Sequence, residues 1–505
     1  MTSRTLDAGP SSPVVSASAV PASSVSSSQA PATKQRARLL GVDAARGVSL
    51  LGMITLHSLY ESDAAGNPTW SDTVFSGRAA AAFAVLAGVG VALATGRRRV
   101  RPADARSTVV LLAVRALTIG AIGLLLGAAD SMLNAVILAY LAVVFLLAIP
   151  LVFLPTWAVA AIGVTLLTAG PAGAHLLLPH LPQPELVNPT FAWLFDDPVG
   201  LVTELTLTGF YPSPAWLAYM SVGVVIGRLN LARARVAVTL LTGGTVLAVA
   251  SGAASWLLLH RYHGLDRIWA AQPASGVSVE RTNGLLKLGG NGNTPSSTWW
   301  WLAIDAPHTS TPLDLLGTTS TAVAVLGLLL LIGRLRHRVG RWLAGAILVP
   351  LAAAGSMTLT FYAAHVLFIN SDDDTYSATT GCLVQLIAVV LIALAIRYTV
   401  GRGPLEAIVI VLATRGRRMA SRRPAPVAGP VAGVEAAVTI PAQRSKATVT
   451  PSAARDAALP VNRPATTPAA PASPLRKVRM VRRRRHHLRR STRHRARTGR
   501  SSAPR

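Results

Sequence analysis

The sequence predicts an all-α fold: a polytopic membrane helix bundle of about ten transmembrane helices, with both termini in the cytoplasm and disordered ends. Three observations carry this. The 505-residue chain is 51% hydrophobic and only 14% charged, with a mean hydropathy of +0.46, too apolar for an ordinary soluble protein of this length. Apolar windows long enough to cross ~30 Å of hydrocarbon recur between Leu39 and Arg415. The basic residues of the short loops alternate between the two sides.

The chain divides by composition. Residues 1–33 are rich in Ser, Ala, Pro and Val, show no basic-then-apolar leader pattern, and are expected to be disordered. Residues 34–415 form the transmembrane domain, with spans expected near 39–60, 74–95, 107–128, 132–153, 156–176, 213–229, 235–258, 314–333, 343–369 and 381–400. Residues 416–505 form a basic tail of 22 Lys or Arg against two acids, Glu435 and Asp456, so most of the formal charge of +27 sits there. The tail is expected to be disordered.

Basic residues resist export and mark the cytoplasmic side. Lys34, Arg36 and Arg38 precede the first window, Arg97, Arg98, Arg99, Arg101 and Arg106 follow the second, Arg228, Arg233 and Arg235 the sixth, and Arg334, Arg336, Arg338 and Arg341 the eighth. The opposite loops include the acidic Asp372, Asp373 and Asp374 and two long segments, 177–212 and 259–313. These long loops carry Trp193, Phe195, Tyr211, Trp216, Trp269 and the triplet Trp299, Trp300 and Trp301, rings that anchor at headgroup level or stack on sugar faces.

Ionisable side chains inside a span cost on the order of 2.5–3.5 kcal/mol at its centre, so they mark pathways or sites. Five stand out: Asp43, Arg46 and His57 in the first span, Arg115 in the third and His365 in the ninth. Arg46 and His57 are eleven steps apart and share one helix face, about 16 Å apart along the axis. Asp43, one turn earlier, is placed to pair with Arg46. In GSMTLTFYAAHVLFIN, residues 355–370, Thr358, Tyr362 and His365 form a polar ridge, and two histidines at similar depth can flank one cavity. Either histidine can equally be satisfied by an interhelical hydrogen bond. Asp305, His308 and Asp314 in DAPHTSTPLD line an acceptor entrance or a solvated loop, and Glu204 is as ambiguous. The single Cys382 excludes a disulfide framework, and neither a phosphate-binding glycine loop nor zinc spacing occurs, so no metal is expected.

VDAARGVSLLGMITLH, with Asp43, Arg46, Gly47 and His57, resembles the first-span signature of integral-membrane acyltransferases of the acyltransferase-3 superfamily. FAVLAGVGVAL resembles its second span, Arg98 and Arg101 in GRRRVR its Arg-x-x-Arg element, and GSMTLTFYAAH its late span ending in histidine. VDAARG, FSGRAAAAFAVLAG and RGPLEAIVI are closer to the bacterial YeiB-like family and the heparan-α-glucosaminide N-acetyltransferase group. The loop ESDAAGNPTWSD has no histidine where the animal enzyme carries one.

The resemblance implies an acyltransferase of the plasma membrane that moves an acyl, chiefly acetyl, group from cytoplasmic acyl-CoA to a hydroxyl or amine of an envelope glycan or glycolipid across the membrane. His57 would act as general base, with His365 orienting it or acting in its place. Arg46 with Arg97, Arg98, Arg99 and Arg101 would hold the CoA phosphates, although topology alone also accounts for the cluster, and Asp43 and Tyr362 are the further substrate-binding candidates. The partners expected are membrane lipids and the acceptor, and for the tail anionic lipid ahead of nucleic acid. A transporter or flippase of a lipid-linked or small polar substrate is the alternative, against which no inverted repeat or matched pair of broken helices is visible. An anchoring factor that works through its tail is a third reading.

Overall fold

The computed structural model describes residues 32–421. The expected disordered segment 1–33 lies almost wholly outside the described residues, and so does the tail from residue 422 on. The helices are α1 (Ala32–Ser58), α2 (Trp70–Phe75), α3 (Arg78–Ala94), α4 (Ala105–Leu126), α5 (Leu138–Leu147), α6 (Thr156–Thr168), α7 (Gly170–Leu177), α8 (Phe191–Asp196) and α9 (Pro198–Thr203). They continue with α10 (Ser213–Arg228), α11 (Ala234–Trp256), α12 (Gly264–Ala271), α13 (Val279–Lys287), α14 (Pro312–Ile332), α15 (Arg338–Gly355), α16 (Thr358–Ile369), α17 (Ala378–Thr399) and α18 (Pro404–Ser421). Among the described residues no strand is present, only an isolated bridge between Ser62 and Pro68. Residues 416–421, assigned above to the tail, continue α18.

Each of the ten windows holds helix, but they are not ten equal spans. Five helical stretches are long and apolar enough to cross a membrane: 70–94, 102–126, 234–261, 312–332 and 378–399. Two further windows are bent pairs, α6 with α7 at 45° and α15 with α16 at 74°, which brings the count to seven if each pair is one span. The remaining three windows are α1, which carries Asp43, Arg46 and His57, and the short α5 and α10. Broken helices are therefore present where the sequence shows none.

α1 is the hub, in contact with α3, α14, α15, α16 and α17. Glycine sets how near its neighbours come. A Cβ on Gly47 would strike the Leu351 carbonyl of α15, and one on Gly355 would strike the Asp43 carbonyl of α1, so the two helices cross backbone to backbone. The long segment 259–313 has its own small core of Ile268, Leu285, Trp301 and Ile304. Of the tryptophan triplet, Trp301 is thus buried, Trp300 lies under the Arg267 guanidinium at 5.0 Å, and Trp299 is exposed beside His175.

The break between α15 and α16 frees backbone N–H groups in the bundle interior, where each needs a partner. Glu406 of α18 supplies it. One carboxylate oxygen accepts from Leu359 N at 2.7 Å and Thr360 N at 3.2 Å, and the other from the Thr360 hydroxyl at 2.6 Å. That hydroxyl accepts in turn from Leu405 N at 3.2 Å. The negative charge also sits where the dipole of α16 favours it. RGPLEAIVI thereby acquires a structural meaning: Pro404 opens α18, and Glu406 caps another helix. Glu406→Ala is expected to lower stability by about 2–3 kcal/mol through these orphaned donors, read as an earlier thermal unfolding transition in detergent, whereas exposed Arg402→Ala should shift it little.

Candidate functional site

His57 occupies the last turn of α1, and the re-aimed α16 brings His365 to it. His57 Nδ1 lies 3.1 Å from His365 Nε2, and the rings are nearly parallel with centroids 5.3 Å apart. His365 Nδ1 lies 2.6 Å from Gln385 Oε1 of α17, and Gln385 Nε2 donates to the Ser58 hydroxyl at 3.2 Å. The pairing fixes the protons. An amide oxygen only accepts, so His365 Nδ1 carries a hydrogen and its Nε2 presents a lone pair. His57 Nδ1 must then donate, which leaves His57 Nε2 as a free acceptor. Both His365 and Gln385 are buried, at 3% and 8% exposure, while His57 is half-buried. The result is an oriented base at the mouth of a closed hydrogen-bond chain.

A cluster of aromatic rings gathers around Tyr211 and includes His308. Tyr362, one turn before His365, is buried, and its hydroxyl accepts from Ile137 N at 3.3 Å, where it pins the start of α5. Tyr211 packs edge-on against Tyr140, Trp216 and His308. His308 is near enough to His57 for a charge on one to act on the other. Its loop is built to hold it there. His308 has a left-handed φ of 56°, Gly292 N donates to its carbonyl at 2.8 Å, and Gly290 N donates to the Pro307 carbonyl at 2.9 Å. The Thr311 hydroxyl donates to the Ile304 carbonyl and closes the loop. Burial pushes the His308 imidazole down to about 4. Glu204 has a structural task, since its carboxylate accepts from Glu185 N, Leu186 N and the Thr208 hydroxyl.

Toward the other end of α1, Arg46 pairs with Asp43 at 3.2 Å and donates to the Leu86 carbonyl at 3.3 Å. Arg115 lies in α4 with its guanidinium 5.3 Å from the Phe145 ring centre, and among the described residues its Nε has no hydrogen-bond partner. Arg98 and Arg101 are exposed in the segment after α3. Of the expected site residues, His57 and His365 meet at one end of α1 with Tyr362 one turn before His365, Asp43 and Arg46 pair further along α1, and Arg98 and Arg101 lie exposed beyond α3. Among the described residues no three His, Cys, Asp or Glu side chains are placed to hold a metal ion.

Sequence reasoning missed Gln385 and Ser58, because it searched the spans for ionisable groups and both are neutral. The signal was there: Gln385 is an amide in the otherwise apolar run CLVQLIAVVLIALAI. For His308 the sequence offers an acceptor entrance or a solvated loop, but not a place beside His57, which depends on the fold.

Residues 38–260 match the protein family described as heparan-alpha-glucosaminide N-acetyltransferase, catalytic. The matched stretch contains Asp43, Arg46, His57, Arg98 and Arg101, while Tyr362, His365, Gln385 and Glu406 lie beyond it. The likeness to the acyltransferase-3 superfamily is one of motifs. No curated protein matches the chain.

Two outcomes test the geometry. Gln385→Leu leaves the buried His365 Nδ1–H unpaired and is expected to cost about 1–3 kcal/mol, measured by thermal unfolding in detergent, while Leu391→Ala on the exposed face of α17 should cost less. For His308, the unfolded chain takes up a proton near pH 6.5 and the folded chain only near 4, so stability falls as pH drops through that window and is flat above it. In His308→Asn this part of the decline between pH 6.5 and 4 should vanish from the profile of unfolding temperature against pH.

Proposed function

We propose that this chain, heparan-α-glucosaminide N-acetyltransferase-like over residues 38–260, is a multi-pass membrane acetyltransferase that moves an acetyl group from cytoplasmic acetyl-CoA to an amine or hydroxyl of an extracytoplasmic glycan or glycolipid. One observation carries the reading: His57 Nε2 is left free by the chain His57–His365–Gln385. In the proposed topology the ten helical windows all cross the plasma membrane with both termini inside, the two bent pairs counting as one crossing each. The basic tail would then meet anionic lipid on the cytoplasmic face.

The chemistry follows from the oriented base. As the acceptor nitrogen or oxygen attacks the thioester carbonyl, His57 Nε2 takes its proton; the new C–N or C–O bond forms, the C–S bond breaks, and the proton passes to the departing thiolate. Because Gln385 is neutral, no carboxylate offsets the charge on the imidazolium, and His365 shares it by accepting from His57 Nδ1. Arg46 supports the donor side. It stands about 16 Å from His57 along one helix, a separation that an extended arm of about fourteen bonds between a phosphate and a thioester covers. Arg98 and Arg101 would guide the anionic donor from the surface rather than hold it in the site.

The bent pairs favour one competing reading, a transporter or flippase, since discontinuous helices around buried polar groups are a transporter device. Acetyl transfer separates the two. Membranes containing wild-type protein, incubated with radiolabelled acetyl-CoA, should accumulate label in glycans or glycolipids. His57→Ala at equal protein level should cut the rate by about 10²–10⁴-fold, the usual contribution of a general base, and His365→Ala should cut it less. Label equal to that of membranes without the protein, across several acyl donors, would leave the transporter reading.

A further inference from the structure

A polar cavity of about 220 Å³ opens between the start of α3, the latter half of α11 and the first half of α14. None of the histidine-site residues lines it. Three elements bring their oxygens together there. Asp305 comes from the loop before α14, and a Cβ on Gly252 would lie 3.4 Å from its Oδ2, so this carboxylate rests on α11. Ser251 stands so close to α14 that a Cβ on Gly317 would lie 2.8 Å from its Oγ. Asp314 and Thr321 of α14 and Arg78 of α3 complete the polar wall.

The wall is made of acceptors. The Ser251 hydroxyl donates to the Ala248 carbonyl at 2.9 Å, and the Thr321 hydroxyl to the Gly317 carbonyl at 2.8 Å. A hydroxyl has one proton to give, so both turn only lone pairs to the cavity. Asp314 is 2% exposed, and its Oδ2 accepts from Thr309 N at 3.2 Å and Ser310 N at 3.0 Å. Its Oδ1 is closed off from water and, among the described residues, has no hydrogen-bond partner. A buried carboxylate oxygen left unpaired is costly, and more so in a helix of an apolar bundle. Arg78 does not relieve it. Its guanidinium donates to the Thr73 carbonyl at 2.6 Å, and the ion pairs among the described residues are Arg46 with Asp43 and His263 with Asp266. One guanidinium against two carboxylates leaves one negative charge uncompensated.

We propose that this cavity binds a small alkali cation, Na⁺, through Asp314, Asp305, Ser251 and Thr321. Oxygen lone pairs without nitrogen or sulfur suit a hard cation, and repel an anion. A divalent ion would exceed the single charge that Arg78 leaves open. At about 30 Å³ for each water the cavity has room for roughly seven waters, so the ion keeps part of its hydration shell. Stripped of water on one side, Na⁺ is smaller than a water molecule and reaches Asp314 Oδ1 where water does not. The inference goes beyond the acetyl-transfer reading and stands without it. Asp305 begins the loop that carries His308 and Asp314 follows it, so an ion held by both ties the two ends of that loop together.

The test is binding of radioactive Na⁺ to the full-length protein in lipid nanodiscs, at constant ionic strength made up with choline chloride. Saturable binding is expected, weakened tenfold or more in Asp314→Asn and in Asp305→Asn. Unlabelled Na⁺ should compete, the larger K⁺ at least tenfold less well, and choline not at all. Asp314→Asn retains an oxygen for Thr309 N and Ser310 N, and Asp305 is exposed, so both variants should fold. Thr321→Val removes a lone-pair donor while keeping the side-chain shape and should also weaken binding. A ligand of the folded state stabilises it, so replacing choline by Na⁺ should raise the unfolding temperature of the wild type and not that of Asp314→Asn. Absence of saturable binding, binding indifferent to both aspartate substitutions, or competition by K⁺ or choline equal to that of Na⁺ would overturn the proposal. Normal acetyl transfer beside any of these results would leave the histidine site standing and remove only this cavity.

Discussion

The carboxylate of Glu406 on the first turn of α16 is the interaction on which the site depends. A helix that breaks inside an apolar bundle exposes N–H groups that hydrocarbon cannot satisfy. With the cap in place, the chain can turn by 74° after Gly355 and start again at Thr358. That turn points Tyr362 toward the start of α5 and His365 toward the end of α1. Without it, Leu359 N, Thr360 N and the Thr360 hydroxyl would lose the acceptor they share at the start of the helix that carries His365.

α1 answers to the same constraint from the other side. Gly47 lets α15 approach to backbone contact, while three charged or titratable groups on one helix serve two ends of the bundle. Asp43 and Arg46 neutralise each other at 3.2 Å, and His57 is neutralised by geometry: its donor is taken by His365 and its acceptor left free. Each group that would be expensive alone has a partner of suitable chemistry. The arrangement gives the histidine pair directionality without a carboxylate.

Much of this was legible in the residues, and the parts that were not have identifiable causes. His57 and His365 stood out because an imidazole in an apolar helix is costly, and the eleven-step spacing placed Arg46 and His57 on one face. The Asp43–Arg46 pair followed from one-turn spacing. Gln385 escaped because an amide bears no charge, and its partnership spans twenty residues and a helix break. Glu406 lay inside a motif noticed only for its likeness to other chains; its role needs two helices to be seen together. Each of the ten windows read from hydropathy holds helix, but among the described residues five to seven stretches are long and apolar enough to cross a membrane, and hydropathy could not reveal bends, because the bend after Gly355 is accompanied by a cap from α18. Arg98 and Arg101 were grouped with Arg46 by sequence proximity to the same membrane face, and the fold keeps them exposed instead.

The crossing at Gly47 and Gly355 has a mechanical meaning as well. Backbone contact locks α15 to α1, whereas the Glu406 cap fastens α16 to α18 and the Gln385 bond ties it to α17. Ser356 and Met357 are the only residues between α15 and α16. The bond between His57 and His365 lies across that junction, and α17 packs against α1 and α15 beside it. A shift of α16 away from α1 would part the two imidazoles and leave His57 Nδ1 without its acceptor, so the position of the bend and the histidine contact are tied together.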